Sequence, residues 1–144
     1  LWDLRHETLD YSDMESAVRD TLKPHLGSAV LHLRFKVPRD ILSDNATHAI
    51  LRIIRELTLN AANHGKAHLI RIAGKVDGGT LYFSVIDDGC GFNVDHHPGV
   101  LEGHFGLQGV KERINALNGT FAISSSPGHG TKVRVTIPLE TKTT

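Results

Sequence analysis

Cysteine is almost missing from this chain: Cys90 is the only one in 144 residues. An intrachain disulfide is therefore excluded, and a reducing compartment is the simple reading. Long apolar runs are missing too. No stretch reaches the roughly 18 residues that a membrane-crossing helix needs. Net charge is absent, because 16 Lys and Arg balance 16 Asp and Glu. No global field draws the chain to nucleic acid or to an anionic membrane, so any anion site must be local. The chain starts Leu1-Trp2-Asp3, with neither an initiator Met nor a signal-peptide pattern, and it reads as a cut inside a longer protein. Histidine is plentiful, at ten residues, but scattered. No pair has the helical spacing of a zinc site with a third ligand nearby, and His96-His97 reads as a solvated loop pair.

What is present is the pattern of one α+β domain. The apolar fraction of 40% and charged fraction of 22% are those of a soluble globular protein. Residues 1–12 are polar and irregular, with Trp2 and Leu4 as docking side chains and His6 as a surface histidine. Ser12 or Asp13 caps a helix expected to run to about Leu26, its stripe formed by Met14, Val18, Leu22 and Leu26. Pro24 bends its last turn and Gly27 stops it. A strand follows over Ala29 to Val37, then a long helix over Ser43 to His64 that is apolar over a broad side. Gly65 closes that helix. Two strands, about Leu69 to Val76 and Thr80 to Ile86, are joined by Asp77-Gly78-Gly79, the residues of a tight hairpin. Residues from Asn93 to Phe105 read as a long loop, a fair candidate for a lid. A helix over Val110 to Leu117 ends at Asn118-Gly119, and strands over Phe121 to Ser125 and Thr131 to Pro138 finish the domain.

Three features carry chemistry. The first is Asp87-Asp88-Gly89-Cys90-Gly91-Phe92, a carboxylate at a strand end against a glycine turn, which suits a flat polar ligand. The second is the polar face of the long helix. Glu56, Asn60, Asn63 and His64 lie three or four residues apart and project from one side. Oxygen ligands so placed suit Mg²⁺, which takes few protein ligands beside phosphates. The third is Gly106-Leu107-Gln108-Gly109 at a helix start, where free amides make an anion site.

Taken in order, these features are Glu56-x-x-x-Asn60, Asp87-x-Gly89-x-Gly91, Gly103-x-x-Gly106-Leu107-x-Gly109 and Gly128-x-Gly130-Thr131. The order and spacing resemble the ATP-binding Bergerat-fold (GHKL) domain shared by sensor histidine kinases, gyrase, MutL and certain chaperones. The resemblance covers roughly residues 22–138. The runs Arg55 to His64 and Gly106 to Ile114 are similar to the nitrate-sensor-like subfamily of two-component kinases. The resemblance implies a two-layer α/β sandwich: a mixed, mostly antiparallel sheet of about five strands with about three helices on one face. It implies ATP and Mg²⁺ as cofactors. Glu56 would orient or activate chemistry at the γ-phosphate, and Asn60 would bind Mg²⁺ through the phosphates. Asn63 and His64 would stand near the phosphates, and Asp87 would accept from the adenine amino group. Gly89 and Gly91 would let the base approach, with Phe92 beside it. Gly106, Leu107 and Gly109 would cradle phosphates, and Thr131 would bond near the adenine.

The resemblance further implies that residues 13–140 form the catalytic domain. Residues 1–12 would be the remnant of a preceding helical dimerisation region, and 141–144 a polar tail. The γ-phosphate would go to a histidine on that dimerisation domain. A helix-turn-helix response regulator would lie downstream, in the cytoplasm, with no direct nucleic-acid contact by this chain. Family members often carry Lys or Arg where this chain has Asn63, which puts charge neutralisation in question. Two alternatives stay open: an anti-sigma-factor-type serine kinase of the same superfamily, and a nucleotide-binding regulatory module without transfer activity. Cys90, at the variable place of the glycine turn, reads as an inert small residue.

Overall fold

Asp13 starts the first helix in the way its side chain suggests. Its Oδ1 accepts from the Ser16 amide at 3.0 Å, covering one of the unpaired donors of a helix start. The computed structural model describes residues 13–93 and 107–139. Helix α1, Met14–Leu22, buries Met14, Ala17, Val18 and Leu22. It ends earlier than the expected Leu26. Pro24 has no N–H to return to the carbonyl of Asp20, so the chain tightens into a 3₁₀ turn at Lys23–His25. Leu26 still packs against the core from outside the helix. Strand β1, Val30–Lys36, follows, and a 3₁₀ turn at Arg39–Ile41 leads to α2, Asp44–Leu59. Ser43 is its cap, with Oγ accepting from the Ala46 amide at 3.0 Å.

Helix α2 lies at the centre of the helical layer. It buries Ile50, Leu51, Ile53, Ile54 and Leu57, and it packs against both α1 and α3. Its continuation, Asn60–His64, is a π-helical turn rather than more α-helix, closed by Gly65 N–H donating to the Asn60 carbonyl at 2.8 Å. The expected single helix to His64 is therefore corrected in its last turn. Gly65 does not supply the left-handed residue either. Its own φ is −81°, and Lys66 takes φ +54°.

Strands β2, Leu69–Asp77, and β3, Thr80–Asp87, form the expected hairpin across Gly78 and Gly79, both at positive φ. Helix α3, Leu107–Ala116, begins three residues before the expected Val110. Leu107, Val110 and Ile114 are all buried, so packing outweighs the roughly 1 kcal/mol that Gly109 costs inside a helix. Asn118, at φ +59°, ends it. Strands β4, Thr120–Ser125, and β5, Thr131–Pro138, complete a five-stranded sheet of order β1-β2-β3-β5-β4. Only the β1–β2 pair is parallel, because α2 crosses between those strands. The other pairs are antiparallel. Alternate residues of the central strands, among them Ile70, Ile72, Leu81, Phe83, Val133 and Val135, face the helices and close the core. The fold is thus the expected α+β sandwich, with three α-helices among the described residues on one face of a mixed sheet.

The edge strand β1 is partly covered. Its Phe35 amide donates to Glu15 Oε1 at 2.9 Å, which ties α1 to the sheet margin. The loop and lid expected between Asn93 and Phe105, and with it Gly103 and Gly106, lies outside the described residues.

Candidate functional site

Between the C-terminal half of α2 and the ends of β3 and β5 lies a recess of about 620 Å³ of empty space, part of it open to solvent. Its walls are mostly apolar: Leu57, Val85, Phe92, Leu107, Ile123 and Val133. A few polar groups break this surface, namely Asn60, His64, Asp87 and Thr131.

Asp87 reaches the recess as the last residue of β3, in register with Thr131 of β5. Its Oδ1 accepts from the Gly89 amide at 2.8 Å. Burial pushes its carboxyl above the ordinary value, and the amides of Gly89 and Thr131 pull it partly back. Asp88 behaves in the opposite way. It is exposed, and its Oδ1 accepts from the amides of Leu69, at 2.9 Å, and His68, at 2.8 Å. Those bonds hold its carboxyl below the ordinary range. One carboxylate faces the recess, and its neighbour fastens the turn to the start of β2.

The glycine turn then passes through crowded space. Gly91 has φ +64°, and a Cβ there would run into the Ser126 carbonyl. Gly130 has φ +70°, and its Cβ would run into the Asp87 carbonyl. A Cβ on Gly89 would stand 2.5 Å from the Gly65 carbonyl oxygen. The same carbonyl accepts from the Cys90 amide at 2.8 Å. So Gly65 closes the helix through its N–H, as expected, and its carbonyl also packs the end of α2 against the turn.

Ser125, at the end of β4, was not legible as a site residue. Its Oγ accepts from the Phe92 amide at 2.9 Å and donates to the Gly130 carbonyl at 2.8 Å. It also lies 2.9 Å from Thr131 Oγ1. This one hydroxyl joins the glycine turn, the β4–β5 loop and Thr131. Asp88 was equally missed as a structural clasp. The only local signal was the Asp-Gly turn itself.

On the helix side the expected polar face is only partly assembled. Leu57, Asn60, Ala61 and His64 line the recess, whereas Glu56, half-buried, and Asn63, exposed, do not. The wider π-helical turn breaks the three-and-four spacing from which a shared face was expected. Asn60 Nδ2 is buried without a hydrogen-bond partner. An unpaired amide at the wall of a polar-edged recess fits a ligand that would complete it. Gly89 and Gly109 also stand off the recess lining, and Leu107 lines it from the first turn of α3. Among the described residues no three His, Cys, Asp or Glu side chains gather where they could hold a metal by themselves. A metal here would rest on Asn60 and on oxygens of the ligand.

A helical layer over a mixed sheet, with a carboxylate and glycine turn closing a recess beside the central helix, defines an ATPase-type nucleotide domain. The family model "Histidine kinase-, DNA gyrase B-, and HSP90-like ATPase" matches residues 45–141, and the chain belongs to that family. Within it, the chain is an ATP-binding catalytic domain of the sensor-histidine-kinase kind. It is 40% identical over 61% of its length to the sensor histidine kinase YdfH of Bacillus subtilis (strain 168), covering 22% of that protein. It is 37% identical over 89% of its length to the nitrate/nitrite sensor protein NarQ of Escherichia coli (strain K12), covering 23% of that protein. It is 31% identical over 94% of its length to the signal transduction histidine-protein kinase/phosphatase UhpB of Salmonella typhimurium, covering 26% of that protein. The chain thus spans about a quarter of the length of these curated relatives. Among solved structures, a blue-light activated histidine kinase from Erythrobacter litoralis superposes with TM-score 0.75 at 20% identity, over 88% of this chain and 42% of that one. This likeness carries the fold. No helix among the described residues is long and apolar enough to cross a membrane.

Proposed function

We propose that this domain binds Mg-ATP in the recess and transfers the γ-phosphoryl group to a histidine on an adjacent helical dimerisation domain, in a cytoplasmic two-component pathway. A helix-turn-helix response regulator would be the next acceptor. The observation that carries the reading is the meeting of Asp87 and Thr131 with the unpartnered Asn60 amide across one apolar slot. A flat base fits between Leu57, Val85, Ile123 and Val133, with its polar edge at Asp87 and Thr131. Gly91 keeps a side chain out of that edge, and Gly89, off the lining, lets the turn sit against the end of α2. The amides of the first turn of α3, beginning at Leu107, would face the developing phosphate charge.

A metal bound there would supply charge neutralisation for the phosphate oxygens. Asn60 would hold that metal through its side-chain carbonyl oxygen, and Glu56, one turn earlier on α2, would take the proton of the attacking imidazole. A nitrogen–phosphorus bond forms as the bond from the γ-phosphorus to the bridging oxygen breaks, and ADP leaves. Asn63 is exposed and stands apart from the recess lining, so its lack of charge weighs on this scheme less than its place in the sequence suggested.

Calorimetric titration with a non-hydrolysable ATP analogue, with and without Mg²⁺, tests the binding half. Binding that tightens with the metal is expected. Incubation with ATP and a supplied histidine-bearing helical domain tests transfer. Binding without transfer would favour the regulatory module, and absence of binding under both conditions would remove the nucleotide reading.

A further inference from the structure

Ser125 has one proton and two lone pairs to distribute among three neighbours. The Phe92 amide can only donate to it, at 2.9 Å. The Gly130 carbonyl, at 2.8 Å, can only accept. The single Ser125 proton therefore goes to Gly130. The remaining contact, 2.9 Å to Thr131 Oγ1, then has one possible direction: the Thr131 hydroxyl donates to Ser125. With its proton committed inward, Thr131 keeps only lone pairs for the recess that it lines. Asp87, in register with it on β3, is an acceptor as well.

We infer that Ser125 is a specificity-positioning residue: it locks the Thr131 hydroxyl as an acceptor, so that the recess selects a base whose polar edge donates there and rejects one that presents a carbonyl. This rests on the nucleotide reading above and adds the direction of recognition. A 6-amino purine offers donors at that edge directly. A 6-oxo purine would set its carbonyl oxygen against two acceptors. Rejection by unpaired polar groups is the strong form of discrimination, because the site cannot compensate the loss with water. The bond network also ties this selection to backbone geometry. Phe92 and Gly130 must both be in place for the hydroxyl to point as it does.

The test compares binding of non-hydrolysable ATP and ITP analogues by calorimetry in the wild-type chain, Ser125→Ala, Ser125→Thr and Thr131→Val. The wild type is expected to favour the ATP analogue by at least about tenfold. Ser125→Ala frees the Thr131 proton to donate outward, and the preference should fall by about tenfold, with the ITP analogue gaining. Ser125→Thr keeps the hydroxyl and should keep the preference. Thr131→Val should lower it by weakening the ATP analogue alone, which covers the case of a poorly folded Ser125→Ala. A Ser125→Ala chain that binds both analogues equally more weakly, at an unchanged ratio, would mean a merely structural serine and overturn the inference. So would an unchanged ratio in Thr131→Val. A wild type that binds neither analogue would overturn the nucleotide reading itself, and the two failures are thus distinct.

Discussion

On the sheet side of the recess, polar side chains are tied to the backbone of neighbouring turns and strands. Asp87 accepts from Gly89, Asp88 from His68 and Leu69, and Ser125 joins Phe92, Gly130 and Thr131. On the helix wall facing it, Asn60 has a buried amide nitrogen with no partner, and the backbone widens into a π turn that leaves Asn63 outside. The difference teaches how the work is divided. The sheet wall is organised before any ligand arrives, as the recognition of a fixed base edge requires. The helix wall is incomplete alone, which suits the hydrated metal and phosphates of the proposed function.

The largest effect should come from damaging the organised wall at its tightest point. Gly91→Ala puts a Cβ at φ +64° and into the Ser126 carbonyl. It should cost about 3 kcal/mol of stability, read from denaturant unfolding, and abolish nucleotide binding. A loss below half that would mean that the turn relaxes freely.

Next comes a contrast between the walls. Without metal, Asp87→Asn should weaken an ATP analogue by about 10–100-fold, as loss of a charged acceptor does, while Asn60→Ala changes little. With Mg²⁺ added, Asn60→Ala should lose about tenfold relative to wild type. Equal losses for the two variants without metal would erase the distinction.

The neighbouring carboxylates give a pH test within one wall. Asp87 is shifted upward by burial, so the fold disfavours its charge. Replacing it with Asn should stabilise the unliganded chain at pH above its raised value, and the gain should vanish below the ordinary 3.8. Asp88 is shifted downward by the Leu69 and His68 amides. Its contribution is present above 3.8 and is lost as pH falls through its lowered value, so Asp88→Asn should destabilise at neutral pH and converge with wild type in acid. Unfolding midpoints across pH 2–7 would read both, and the two curves should move in opposite senses.

The smallest effect belongs to the exit of the helix wall. Lys66 holds φ +54° without being glycine. Lys66→Gly should raise stability by about 0.5 kcal/mol, after the extra chain entropy of glycine is counted. A thermal melt that moves down instead would show that the lysine side chain makes up for its backbone.

Much of this architecture was legible. Asp87 and Gly91 could be read because a strand pattern, a carboxylate and a turn residue sit side by side in the chain. The hairpin at Gly78-Gly79 and the stop at Asn118 were legible for the same reason. The π turn was not, since nothing in Asn60 to His64 distinguishes i+4 from i+5 bonding, and the shared face of Asn60 and Asn63 went with it. Helix α3 started early because Leu107 finds a buried place that its flanking glycines do not advertise. Ser125 was hidden altogether, because its partners lie 33 residues upstream and six residues downstream, across a strand pairing.

The chain by itself determined the order of the elements, the mixed sheet under a helical layer and the carboxylate at the ligand edge. Each of these depends on residue type and on neighbours within a few positions. Tertiary structure alone decided which side of α2 lines the recess, that Gly65 packs against Gly89 as well as ending a helix, and which way the Thr131 hydroxyl points. Those outcomes arise where separate segments compete for the same space and the same protons, and no local pattern encodes the result.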